Sequence, residues 1–80
     1  MFFTYILRSN NTPKRYYGSC ENLKKRISDH NKGKVKFTKP YIPWEIMYYE
    51  EYSTRSEAFK REMFFKSIQG YMWLKEKNVI

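Results

Sequence analysis

A single cysteine, Cys20, excludes an internal disulfide in these 80 residues and excludes a structural zinc site of the cysteine-rich kind. The lone thiol suits a reducing cytoplasm. With no second cysteine or dedicated base beside it in sequence, it reads as an incidental, half-buried packing residue rather than a nucleophile. Long hydrophobic runs are missing too. The apolar start, Met1 to Leu7, stops at Arg8 without a basic leader region or a small-residue cleavage site, so it is not a signal peptide. No run approaches the roughly 20 apolar residues that cross a bilayer. There is no linker, repeat or low-complexity segment, and the length suits one domain, 1–80.

Acidic residues are scarce in one half only. Residues 1–40 hold ten Lys/Arg and two acids, a net +8, whereas residues 41–80 hold six of each, a net of zero. A one-sided field of this kind attracts polyanions, with nucleic acid the first candidate and an acidic membrane surface the second. The membrane reading is weaker, because the basic half has no long amphipathic helix with a clean apolar face. Aromatic residues are abundant, at 20% of the chain, and their large buried area must supply most of the stability that no disulfide supplies.

FFTYILR (2–8) is rich in aromatic and β-branched residues and reads as a strand, SNNTPK (9–14) as a turn, and RYYG (15–18) as a second short strand. A hairpin centred between Asn10 and Asn11 pairs residues whose numbers sum to 21, which sets Tyr5 opposite Tyr16 on the same face. Residues 20–32 are a helix candidate, with Ser19 as N-cap and Gly33 as its stop. Leu23 and Ile27 face the core, and Arg26 and His30, also four apart, fall on one edge of that stripe. The basic stretch 32–43 is an irregular connection and WEIMYYEEY (44–52) a third strand. Thr54 and Glu57 fit a capping box that opens a helix over roughly 55–68, with Ala58, Glu62, Phe65 and Ile68 on its buried side. Gly70 breaks the pattern before a short final helix, 71–77. The order ββαβαα predicts an α+β fold, a three-stranded antiparallel sheet flanked by helices.

Each candidate functional side chain has an ordinary alternative. Tyr5 and Tyr16 suit aromatic packing, His30 suits packing or a surface position, and Arg26 is one of sixteen basic residues. A carboxylate on a buried stripe is costly unless paired or metal-bound, so Glu62 is either salt-bridged or a metal ligand. The chemistry becomes coherent if all five line one cleft. Phosphodiester cleavage needs an activated water and charge stabilisation at the phosphoryl oxygens. Arg26 offers a planar fork for phosphate. Glu62 suits one Mg²⁺ that keeps several waters. A tyrosine acting as base needs nearby cations or His30 to stabilise its phenolate, because a free phenol titrates near pH 10.

These residues resemble the GIY-YIG nuclease superfamily, as a small stand-alone bacterial member. The first motif survives as Phe3-Thr4-Tyr5 with only the tyrosine kept, and the second as Tyr16-Tyr17-Gly18. Arg26 and His30 match the pattern N-L-x-x-R-x-x-x-H, and Glu62 in EAFKREMFFK matches the family's metal-binding glutamate. The resemblance spans essentially the whole chain. It implies a Mg²⁺- or Mn²⁺-dependent endonuclease acting on DNA. In that role Tyr5 or Tyr16 is the base or water-positioner, Arg26 binds the scissile phosphate, His30 supports the tyrosine and Glu62 holds the metal. Gly18, Ser19, Lys24, Lys25, Lys34, Lys36 and Lys39 are the candidates for contacts along the nucleic-acid backbone. Ser19 stands where several members have lysine, and Asn78 is the candidate for a functional asparagine that many members carry near the C-terminus. Larger members attach separate DNA-binding domains. The expectation here is structure-selective or weakly sequence-specific cleavage of DNA, branched or damaged, with a targeting protein as a further partner. A basic DNA- or RNA-binding module without catalysis is the alternative, and a purely structural or protein-interaction domain ranks below both.

Overall fold

The computed structural model describes residues 1–80. Three antiparallel strands, β1 (Phe2–Ser9), β2 (Arg15–Cys20) and β3 (Trp44–Tyr52), form a sheet in the order β2-β1-β3. Helix α1 (Leu23–Asn31) follows the hairpin, and α2 (Arg55–Phe65) and α3 (Ile68–Glu76) follow β3. This is the predicted α+β arrangement in the predicted order. Between α1 and β3 the basic connection contains a single short 3₁₀ turn, Lys39–Tyr41.

Alternation along β1 assigns a helix to each face of the sheet. Tyr5 and Leu7 point one way and pack with Trp44, Leu23 and Ile27 under α1. Ile6 points the other way and packs with Phe65 of α2 and Leu74 of α3. Tyr17, opposite in direction to Tyr16, joins this second cluster as a packing residue. The Thr4 hydroxyl on the same face donates to the Ala58 carbonyl at 2.7 Å, tying α2 to the sheet. Tyr5, Ile6 and Leu7 have no exposed surface, and each stabilises the fold by about 1.5–3 kcal/mol through apolar burial.

Several local expectations are corrected. The hairpin register runs Tyr5↔Gly18 and Leu7↔Tyr16, two residues off the symmetric pairing. A two-residue slip preserves the face, so Tyr5 and Tyr16 still share it, now as diagonal neighbours. Strand β2 continues through Ser19 and Cys20, and the N-cap of α1 is Asn22, whose side chain accepts from the Lys25 N–H at 3.0 Å. Ser19, paired in the ladder with Thr4, is therefore not a cap. Gly33, with φ of 77°, follows the Lys32 cap and stops α1 as predicted: the Gly33 and Lys34 N–H groups bond back to the His30 and Asp29 carbonyls, closing the last turn.

The Thr54–Glu57 capping box is formed. The helix it opens stops at Phe65, because the Ser67 side chain caps a new helix by accepting from the Gly70 N–H. Gly70 thus lies inside α3 rather than ending a helix. It is glycine because a Cβ there would lie 1.9 Å from the Phe64 carbonyl oxygen. Ile68, expected to be buried, sits at the first position of α3 and is 77% exposed. Strand β3 has the predicted limits but carries one extra residue, Met47, between the partners of Ile6 and Leu7. That bulge turns Trp44 and Tyr48, which regular alternation would place on one face, into the two opposite clusters.

Candidate active site

The face shared by Tyr5 and Tyr16 is the one on which α1 packs. Tyr5 projects from the central strand, and its ring lies over Gly18 on β2. A Cβ at Gly18 would come within 2.5 Å of the phenol oxygen, so the glycine provides the space the ring occupies. One turn apart on α1, Arg26 and His30 then meet the Tyr5 hydroxyl. The Arg26 Nε–H donates to it at 3.4 Å, and His30 Nε2 lies 3.1 Å from it. The Tyr16 ring stacks at an angle against the His30 ring, with centroids 4.9 Å apart, and 6.3 Å from that of Tyr5.

His30 is fully buried, and its second nitrogen, Nδ1, lies 2.7 Å from Thr38 Oγ1. The Thr38 hydroxyl also lies 3.3 Å from the Val35 carbonyl. The imidazole is thus held at both nitrogens, by the Tyr5 hydroxyl at Nε2 and by Thr38 at Nδ1. Thr38 is itself buried, anchored through its carbonyl to the Trp44 indole N–H at 2.9 Å. Asn31, the last residue of α1, fixes the start of β3 by exchanging two hydrogen bonds with the Trp44 backbone.

Electrostatics set the charge state of these groups. Burial, helped by the Arg26 charge and opposed by Asp29, pushes the His30 imidazole down to about 4. It is therefore a neutral ring at pH 7. Burial also pushes the Tyr5 phenol up to about 12, although the hydrogen bond and charge of Arg26 work against it. These surroundings favour the protonated phenol of Tyr5. Arg26 is held more firmly in its charged form, first by the hydrogen bond to Tyr5 and also by Tyr16. Burial raises the Cys20 thiol despite Arg26, in keeping with a half-buried packing residue.

Glu62 occupies a different part of the molecule. It projects from α2 on the opposite side of the sheet, its side chain 12% exposed. The Ser19 hydroxyl donates to its Oε1 at 2.8 Å and Lys66 Nζ to its Oε2 at 2.8 Å. The salt-bridged reading of Glu62 is thus realised, and Glu62 makes no hydrogen bond to either tyrosine. No group of three or more His, Cys, Asp or Glu side chains could hold a metal. Glu62 offers one hard anionic ligand with a hydroxyl beside it, a donor set that fits a hydrated magnesium-like ion and not zinc. The two halves approach one another at the free edge of β2. A cleft of roughly 400 Å³ there is lined by Arg15, Tyr16, Tyr17, Phe37 and Lys66.

The structure therefore brings together Tyr5, Tyr16, Arg26 and His30 and places Glu62 with Ser19. Lys34, Lys36 and Lys39 are exposed on the connection that also supplies Phe37 and Thr38. Lys25 and Lys34 both pair with Asp29, at 2.9 and 3.7 Å. Lys24 borders a separate and larger groove, roughly 830 Å³, whose apolar lining includes Phe3, Leu23, Ile27, Ile46 and Tyr49. Asn78 lies just past α3 with φ of 60°, a left-handed position that asparagine tolerates and that accounts for it at this helix end. Sequence reasoning missed Thr38 and Lys66. Nothing in the sequence marks a single threonine in an irregular connection, but Lys66 stands four residues after Glu62, a helical pairing distance.

A hairpin that presents two tyrosines to an arginine and a histidine of the next helix, on a three-stranded sheet backed by two further helices, is the architecture of a GIY-YIG-type domain. The chain belongs to that family: the GIY-YIG catalytic domain matches residues 1–75. It is 39% identical over 74 residues to a UPF0213 protein of Staphylococcus epidermidis, covering 91% of this chain and 89% of that one. It is 37% identical over 68 residues to a UPF0213 protein of Listeria welshimeri, covering 82% and 73%. With the UPF0213 protein YazA of Bacillus subtilis it shares 36% identity over 80 residues, covering 95% and 80%. No solved structure matches.

Proposed function

We propose that this protein is a divalent-metal-dependent endonuclease that hydrolyses phosphodiester bonds in DNA. The observation that carries the reading is the Arg26–Tyr5–His30–Thr38 chain, closed by Tyr16 at the edge of a cleft. Buried polar chains of this kind are costly to assemble and rigid once satisfied, which suits a site that must position reacting groups.

Roles follow from accessibility. Tyr16 is half-buried and lines the cleft, so its hydroxyl is the one that positions the attacking water. Tyr5, fully buried, orients the Arg26 guanidinium, which binds the scissile phosphate and stabilises its developing charge. Neutral His30 fixes Tyr5 from one ring nitrogen and stacks on Tyr16. Glu62, with Ser19 beside it, would hold one Mg²⁺ or Mn²⁺, which when bound supplies charge neutralisation at phosphoryl oxygens. Exposed Lys34, Lys36 and Lys39 hold the DNA backbone without reading sequence. Branched or damaged DNA is the substrate class we favour, with a protein partner supplying further targeting. The test is nicking of linear, supercoiled and branched DNAs with Mg²⁺ or Mn²⁺. Arg26→Ala and Glu62→Ala are expected to lower the rate by about 10²–10³-fold. Undiminished cleavage by both variants would assign the activity to a contaminant.

One observation favours a second reading, a DNA- or RNA-binding module without catalysis: both Glu62 oxygens already have partners. It predicts metal-independent binding with steep salt dependence and no cleavage of any substrate in the panel.

A further inference from the structure

Two charged residues, Arg15 and Lys66, line the cleft beside Tyr16, and of these only Lys66 bonds to Glu62. The partners of that ion pair differ in exposure. The carboxylate is largely buried, at 12% exposed, and pinned by the Ser19 hydroxyl, whereas the Lys66 side chain is 46% exposed on a flexible four-carbon stem. The pair lies in the favoured order on one helix, glutamate preceding lysine by four residues. A buried carboxylate needs a cation, and here it has one that can leave without disturbing packing.

We propose that Lys66 is the exchangeable counter-ion of Glu62. In the metal-free protein its ammonium neutralises the carboxylate. When a divalent cation takes that position, the ammonium is released into the Tyr16 cleft and binds a non-bridging oxygen of the nucleic-acid backbone. Lys66 thereby couples metal loading to phosphate binding across the β2 edge. No bond is made or broken in the exchange: one cation replaces another at Glu62, and the freed ammonium meets a phosphate anion. This inference rests on the nuclease reading for the identity of its ligands.

The test measures binding and not turnover. Mn²⁺ affinity is determined by titration calorimetry for the wild type, Lys66→Met, Lys66→Gln and Glu62→Gln. The Lys66 variants keep the reach of the stem without its charge, and having two guards against one that misfolds. Affinity for a fluorescently labelled branched DNA is then compared without metal and with Ca²⁺. Removing the competing ammonium is expected to tighten Mn²⁺ binding about fivefold, the factor an ion pair of this exposure contributes. Glu62→Gln should abolish Mn²⁺ binding. Metal should strengthen DNA binding in the wild type by a larger factor than in either Lys66 variant. Unchanged Mn²⁺ affinity in the Lys66 variants, with Glu62→Gln still defective, overturns the exchange and leaves the metal role of Glu62 standing. So does an equal gain in DNA affinity on metal addition in all three proteins. Absence of Mn²⁺ binding in the wild type, or wild-type binding by Glu62→Gln, overturns both the exchange and the metal assignment on which it rests.

Discussion

His30 is kept neutral by burial and by the charge of Arg26. Burial disfavours its charged form, Arg26 on the same helix repels a second positive charge, and Asp29 only partly offsets them. The folded imidazole titrates at about 4 and an unfolded one near 6.5. Between those values the unfolded chain binds the extra proton, so stability falls as pH falls through this window. The expected loss is about 2 kcal/mol between pH 7 and pH 5, read from urea melts at the two values. His30→Gln should flatten that slope; an unchanged slope would mean that other groups set it. Thr38 acts through the same ring. Thr38→Val removes the hydroxyl that holds His30 Nδ1, whereas Thr38→Ser keeps it. If Tyr16 and Arg26 depend on this chain, Thr38→Val should lower cleavage at least tenfold, a fraction of the ~10²–10⁴ that positioned proton transfer supplies. It should also shift the pH–rate profile, with Thr38→Ser close to wild type in both. Equal profiles for the two variants would reduce Thr38 to a packing residue.

At the level of elements, the strands, the capping box and the stop of α1 were legible because each has a local cause: aromatic and β-branched runs, Thr54 with Glu57, and Gly33. Features created by tertiary contact were not. The hairpin register depends on the ring of Tyr5 needing the space over Gly18. The bulge at Met47 depends on Trp44 and Tyr48 being claimed by different clusters. Glu50 is a comparable case. Burial works against its carboxylate, but hydrogen bonds from Arg61, Tyr48 and Tyr52 hold it below the ordinary carboxylate range. Arg61 in turn stacks 4.5 Å from the centroid of the Trp73 ring. Alternation along β3 puts Tyr48, Glu50 and Tyr52 on one face, but nothing local brings Arg61 of α2 to them. The candidate site divides in the same way. The i, i+4 spacing of Arg26 and His30 put them on one edge, but nothing local placed Glu62 across the sheet with Ser19. The junction of α2 and α3 makes the tightest such contact. Gly70→Ala would drive a Cβ into the Phe64 carbonyl, and backbone there cannot yield as a side-chain tip can. A loss of about 1–3 kcal/mol in urea melts is expected, together with loosened packing of Phe65 and Leu74. Wild-type stability would show that the α2–α3 angle relaxes freely.

For the whole molecule, sheet order turns a sequence asymmetry into a spatial one. The strands run β2-β1-β3, so the edge strand of the basic half lies at the opposite side of the sheet from β3, which contributes Glu45, Glu50 and Glu51. Part of the formal charge is also spent internally. Arg8 pairs with Glu45 at 2.6 Å, and Lys25 and Lys34 share Asp29. Lys36 and Lys39, exposed and in none of the molecule's salt bridges, lie on the same connection as Phe37, whose ring is 6.2 Å from that of Tyr16. Unpaired lysines therefore stand on the connection beside the Tyr16 cleft, and the lysines of the basic half are not equivalent. Each lysine that neutralises a DNA phosphate releases a counterion and adds a little under one unit to the slope of log affinity against log salt concentration. Lys36→Ala and Lys39→Ala should each lower that slope by about one. Lys25→Ala should change it much less, because Asp29 already takes part of its charge. Fluorescence anisotropy with one labelled DNA over a series of salt concentrations gives all four slopes. If Lys25→Ala lowered the slope as much as Lys36→Ala, DNA would have to engage the whole basic half evenly, and the cleft at β2 would lose its claim to be the centre of the contact.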